Sequence, residues 1–234
     1  MSIVKIPRIS IENRLLAALP SQAYLSLVPN LEPVCLDFKE VLYESRELIQ
    51  HVYFPNNGVV SLLAIMADRT PAEVGLVGNE GMVGLPVFLG VDTTPLKVIV
   101  QVPGDAMRMP VDVFKDLVNQ DAPLHGLLQR YTHALMFQIS QSAVCNCHHS
   151  VEQRCCRWLL MTRDRVRSSQ FPLTQEFLSQ MLGVRRPSVT VVASKLQRSG
   201  LISYRHGQIT VLDCLGLESA SCECYRLIKL EFDR

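Results

Sequence analysis

The rhythm of hydrophobic and polar positions changes along the chain. Between residues 34 and 109 the apolar residues fall in short or alternating runs: Val41-Leu-Tyr, His51-Val-Tyr-Phe, Val59-Val-Ser-Leu-Leu, Glu73-Val-Gly-Leu-Val, Lys97-Val-Ile-Val-Gln-Val and Ala106-Met-Arg-Met. Pro55-Asn-Asn-Gly and Gly78-Asn-Glu-Gly separate them. Runs of period two broken by turn residues predict antiparallel strands closing into a sandwich or barrel. A short helix over residues 13–19 precedes them, with Pro20-Ser21 able to stop it and cap another.

Beyond Pro123 the period lengthens to about 3.6. Leu124, Leu128, Tyr131, Leu135, Ile139 and Ala143 form a stripe that predicts one long amphipathic helix. Such a stripe needs a covering surface, and a second copy of the helix is an economical one, so a homodimer is expected. A further helix over residues 151–166 would bury Cys155, Trp158, Leu159 and Thr162 and turn its arginines outward. Residues 167–172, Arg-Ser-Ser-Gln-Phe-Pro, then read as a polar connector.

The most specific signal lies in residues 173–202. Thr174 suits the cap of a short helix striped by Leu178, Met181 and Leu182, and Gly183 supplies a permissive turn. A second helix over residues 185–199 starts with Pro187 in its first turn, where a missing N–H costs nothing. Val189, Val192, Ala193 and Leu196 would face inward, leaving Arg186, Ser188, Thr190, Val191, Ser194, Lys195 and Arg198 outside. Two strands turning at His206-Gly207 would form a wing. This is a helix-turn-helix whose second helix can lie in a major groove, arginine matching guanine acceptors and valine or threonine methyls matching thymine.

Charge sharpens that reading. A formal net charge of +1 conceals an asymmetry: residues 1–110 hold eight Lys/Arg against eleven Asp/Glu, whereas residues 151–208 hold ten against three. A local excess of +7, nine of its ten cations arginine, is the footprint of a polyanion binder. The first residues lack a secretory leader's apolar core and the longest nearly apolar run, residues 58–67, is too short to span a bilayer, so a cytoplasmic protein without membrane contact is expected. The eight cysteines would then be reduced.

Three stretches together resemble the Crp/Fnr superfamily of bacterial transcriptional regulators: residues 51–86, residues 154–166 with Trp158-Leu-Leu-Met-Thr-Arg-Asp-Arg, and the helix-turn-helix onward to Ser221-Cys-Glu-Cys-Tyr. The resemblance implies an α+β protein with an antiparallel, cyclic-nucleotide-binding-like β-roll (1–120), a dimerisation helix (121–149) and a winged helix-turn-helix (150–234). It also implies a homodimer on palindromic double-stranded DNA, with RNA polymerase as a further partner. In the family's recognition helix an arginine reads guanine, followed by a glutamate and, four residues on, another arginine; here Arg186, Pro187 and Val191 stand there. Arg186 keeps its role, and Arg185, Ser188, Thr190, Val191 and Lys195 become the next candidates for DNA contact, with Thr174 and Gln175 near phosphate.

The resemblance places an effector pocket at Gly78, Glu80, Gly81, Gly84, Thr94 and Ser140. Members that bind cyclic nucleotides clamp the phosphate with an arginine followed by Ser or Thr, but Thr94 and Pro95 occupy those positions here. Cyclic nucleotide is therefore not the expected effector, and no other cofactor is expected: Cys35 alone precedes residue 140, against an iron–sulfur cluster, and His51 is the one histidine of the roll that could ligate haem. Cys145 with His148 or His149 shares a helical face with zinc-ligand spacing, yet no Cys-x-x-Cys pair accompanies it, and these residues read as packing and capping groups. Neither a catalytic constellation nor a phosphate-binding loop is spelled out, so no enzyme activity is expected. The alternative is a nucleotide-, redox- or metal-responsive sensor acting through protein contacts.

Overall fold

The structure, a computed structural model, describes residues 12–234; the leaderless start read above lies outside them. The chain opens with helices α1 (Arg14–Ala17) and α2 (Ser21–Leu27). Asn13 caps α1 by accepting from the Leu16 amide at 3.0 Å, and its own amide donates to the Pro55 and Gly81 carbonyls, tying the helix to the roll. Pro20 rather than Ser21 occupies the cap position of α2.

Seven strands make the roll: β1 (Glu32–Leu36), β2 (Val41–Tyr43), β3 (His51–Pro55), β4 (Val59–Ile65), β5 (Pro71–Val77), β6 (Lys97–Val102) and β7 (Gly104–Pro110), with the short α3 (Leu85–Phe88) between β5 and β6. They pair antiparallel in two sheets ordered β1-β7-β3 and β2-β6-β4-β5. The alternating runs seen in the sequence are six of these strands. The seventh, β1, contains Pro33 and lies at a sheet edge, where a residue without an N–H is tolerated.

Helices α4 (Val111–Gln120) and α5 (Ala122–His148) follow. Most of the stripe assigned above to a second copy is covered within the chain: Leu124, Leu128, Tyr131 and Leu135 are buried in the core of the roll with Phe54, Val100 and Phe114, while Ile139 is half-buried and Ala143 exposed. A half-closed roll exposes its own apolar interior, and α5 is the lid. The face of α5 left in solvent carries Gln129, Met136, Ser140, Ala143, Val144 and Cys147.

Ser150 then starts α6 (Val151–Val166) with a reciprocal capping box to Gln153. Cys155, Trp158, Leu159 and Thr162 are buried as read, but Arg154, Arg157 and Arg165 are buried too, contrary to the outward placement expected. The remaining elements are β8 (Gln170–Pro172), α7 (Gln175–Leu182), α8 (Arg186–Arg198), β9 (Ile202–Arg205), β10 (Gln208–Val211), α9 (Cys214–Ala220) and α10 (Cys224–Phe232). The stretch read as a bare connector contributes β8, which pairs with β10, so the wing has three strands in the order β8-β10-β9.

A second core welds this half to the roll: Val59, Leu63, Leu76 and Val102 pack with Trp158 of α6 and with Leu178 and Met181 of α7. Buried polar groups bridge the same seam. Arg165 donates to Glu80 Oε1 at 2.8 Å, to Gln138 Oε1 at 2.7 Å and to the Met161 carbonyl at 3.0 Å. Trp158 Nε1 donates to Glu73 Oε1 at 3.0 Å. Burial pushes the Glu73 carboxyl up to about 7, against the pull of Ser61, Trp158, Arg157 and Arg165.

Candidate nucleic-acid interface

The helix-turn-helix is built by local chemistry. Thr174 Oγ1 accepts from the Phe177 amide at 3.1 Å and starts α7. Gly183 ends it with φ of 61°, a left-handed backbone that a side chain would strain. Pro187 stands in the first turn of α8, and Val189, Val192, Ala193 and Leu196 are buried beneath that helix. Arg186, Ser188, Thr190, Val191, Ser194, Lys195 and Arg198 all lie on its exposed face, Val191 being 67% exposed.

The wing follows directly. Arg205 pairs with Gln208, and His206 (φ 51°) and Gly207 (φ 74°) form the two-residue loop between them. Positive φ at both loop residues gives the turn whose twist suits a hairpin. Gln197 of α8 accepts from the Tyr204 amide at 2.8 Å, fixing the wing against α8.

Placement changes the electrostatic reading. Of the ten cations in residues 151–208, Arg154 is spent on the Leu182 carbonyl, Arg157 on Ser142 Oγ (3.2 Å) and Arg165 on Glu80. Arg163 pairs with Asp164 at 3.1 Å, and Arg167 donates to the Glu12 carbonyl at 3.0 Å. The cations on the helix-turn-helix and wing are thus Arg185, Arg186, Lys195, Arg198 and Arg205, all exposed. Lys195 is held by Glu152 at 2.6 Å. Thr190 Oγ1 donates to Gln175 Oε1 at 2.8 Å, so two of the candidate DNA contacts orient each other across α7 and α8, while Thr174 is exposed at the start of α7.

The candidate effector residues do not converge. A cavity of about 210 Å³ lies between the roll and α5, lined by Gly84 and Thr94 together with Tyr43, Leu85, Leu135 and Met136 among other apolar groups, and no charged side chain lines it. Gly78, Glu80, Gly81 and Ser140 are elsewhere. The protein's own side chains fill the glycine-rich turn: a Cβ on Gly78 would meet the Arg165 stem at 2.6 Å, and one on Gly81 the Tyr131 ring at 2.2 Å. Glu80 is committed to Arg165, and Ser140 Oγ donates to the Met136 carbonyl. His51 does not line the cavity. Of the Cys/His candidates, Cys145 and His149 come together with Cys222 and Cys224, whereas His148 is exposed and apart.

Comparison with known proteins agrees with this geometry. Residues 153–220 match the model of the Crp-like helix-turn-helix domain. The fold is similar to that of the c-di-GMP-responsive global regulator CLP of Xanthomonas campestris, with a TM-score of 0.66 and 16% identity over 83% of this chain and 100% of that one. It is also similar to a CRP-family transcriptional regulator of Thermus thermophilus (0.67; 17%; 80% and 96%) and to FixK2 of Bradyrhizobium japonicum (0.66; 14%; 82% and 98%). No curated protein matches the chain in sequence.

Proposed function

From a chain that carries a Crp-like helix-turn-helix domain on the fold of the Crp/Fnr regulators, we propose a sequence-specific DNA-binding transcriptional regulator that acts as a homodimer on a palindromic operator. The observation that carries the reading is the exposed face of α8, where Arg186, Ser188, Thr190 and Val191 face solvent above a buried Val189–Val192–Leu196 seam. A helix so mounted can enter a major groove, with Arg186 on guanine, the Val191 methyls on thymine, and Arg185, Arg198 and Arg205 on phosphate. Pro187 and Val191 offer no polar readout, which makes the operator differ from one read by glutamate and arginine there.

The dimer would form through the outer face of α5. Met136 and Val144 are 63% and 51% exposed there and offer apolar surface that a second helix would cover. Thr132 and Met136 also line the cavity, so a second α5 would complete its wall. We infer that the effector, where one acts, is not a cyclic nucleotide: a phosphate in that cavity would meet no cation, and the glycine turn is already filled. RNA polymerase is the further partner this reading implies, and no catalytic role is assigned. Among the described residues no helix is long and apolar enough to cross a membrane.

Fluorescence anisotropy of a labelled duplex pool, titrated with the protein at several salt concentrations, tests the binding reading. Two chains per duplex and an affinity that falls steeply with salt are expected. Binding without salt dependence, or none at low salt, would overturn it.

A further inference from the structure

The end of α5 and the turn between α9 and α10 bring four side chains with metal-ligand atoms together. Cys145 and His149 stand four residues apart on the last turn of α5 and its cap, so they share a face. Cys222 and Cys224 flank Glu223 at the start of α10, where the Tyr225 amide donates to the Cys222 carbonyl at 3.2 Å and closes a tight turn. Cys145 Sγ lies 3.5 Å from Cys222 Sγ, and Cys224 Sγ lies 3.6 Å from His149 Nδ1. The four donor atoms all fall within 4.8 Å of one another.

Neither a disulfide nor ordinary packing accounts for this. A disulfide requires sulfurs at ~2 Å. The three buried sulfurs form an isolated cluster that joins neither hydrophobic core. A zinc ion with bonds of ~2.3 Å to sulfur and ~2.0 Å to nitrogen, tetrahedrally arranged, sets sulfur–sulfur edges near ~3.8 Å and sulfur–nitrogen edges near ~3.5 Å. The two close distances here are edges of that size.

The outer contacts are those a zinc site uses. The second ring nitrogen of His149, Nε2, lies 3.3 Å from Glu223 Oε2, which holds the proton there and leaves the Nδ1 lone pair facing the sulfurs. Gln141 Nε2 donates to Cys224 Sγ at 3.2 Å, a bond that suits a thiolate. Three thiolates and one divalent ion leave a net charge of −1.

We propose that Cys145, His149, Cys222 and Cys224 bind one structural zinc ion that fastens the end of α5 to the C-terminal helices. As zinc binds, the three thiols release their protons to solvent, three Zn–S bonds and one Zn–N bond form, and nothing is oxidised. The ion joins residues 77 positions apart and bridges the connection at Ser150, so the DNA-binding half cannot swing on that link without carrying the end of α5.

The test is metal analysis of the full chain purified under reducing conditions without chelator, followed by replacement of the metal with Co2+. One zinc per chain is expected, with intense thiolate-to-cobalt and tetrahedral ligand-field absorption in the cobalt form. Cys222→Ser should lose both signals, His149→Cys should keep zinc while shifting the cobalt bands, and Cys147→Ser should change neither. Should Cys222→Ser fail to fold, the cobalt spectrum of the unaltered chain still decides. Protein free of zinc with no tetrahedral cobalt spectrum overturns the proposal, as does a Cys145–Cys222 disulfide in metal-free protein. These readouts do not involve DNA, so they stand apart from the regulatory reading.

Discussion

Glu73→Gln isolates the energetics of the seam between the roll and the DNA-binding half. The carboxyl lies partly buried in the seam and rises from 4.5 to about 7, chiefly because water is removed from it. At about 1.4 kcal/mol per pH unit, that climb corresponds to about 3 kcal/mol. The sign follows from which state holds the proton. Below pH 4.5 both folded and unfolded chains carry it, and the contribution is fully present. Between 4.5 and 7 the unfolded chain releases the proton while the folded chain retains it, so stability falls as pH rises; above 7 the loss is complete. Glutamine is neutral throughout, can accept from Trp158 Nε1 and can donate to Ser61. The stability difference, mutant minus wild type, should therefore grow by about 3 kcal/mol across that window, in favour of the mutant. Urea unfolding followed by emission of Trp158, the chain's single tryptophan and the direct partner of Glu73, measures it. Titrations elsewhere are common to both proteins and cancel. A difference that stays flat from about pH 5 to about pH 8 would refute the assignment of an elevated Glu73.

Arg186→Ala should cost about 1 to 3 kcal/mol on the preferred site and relax specificity at one base, whereas Lys195→Ala should weaken all sequences alike, as anisotropy on specific and scrambled duplexes would show. Because Lys195 already bonds Glu152, its loss should be the smaller. Glu80→Gln strands the Arg165 guanidinium in a seam where both side chains are under 10% exposed; about 3 to 5 kcal/mol of stability should disappear in urea titration. Met136→Arg places a charge on the free face of α5, and sedimentation should then find monomers with an unchanged circular dichroism spectrum and weakened operator binding.

Local chemistry made the DNA-binding half legible in advance. The Thr174 cap, the Gly183 turn, Pro187 and the His206-Gly207 hairpin each depend on neighbours within a few residues, and the buried and exposed faces of α8 followed from period alone. What long-range pairing decides was harder to read. The arginines of α6 look like a solvated face until the Gly78–Gly81 turn and α5 arrive to receive Arg165. The α5 stripe calls for a cover, and nothing in its spacing says whether the roll or a second chain supplies it. The strands β1 and β8, short and containing Pro33 and Pro172, carry almost no period-two signal. The same limit hid the Cys/His cluster: Cys145 and His149 show ligand spacing, but Cys222 and Cys224 reach them only through the packing of α10 on α5.

Sequence-specific recognition by a dimer is tested most directly by selecting bound duplexes from a random pool with the purified protein, at stated salt, alongside Arg186→Ala. Enrichment of an inverted repeat with half-sites one helical turn apart, its consensus relaxed at one position in each half by the mutation, is the expected result. A pool that stays unenriched, or a consensus that Arg186→Ala leaves intact, would contradict the reading of α8 as the recognition helix.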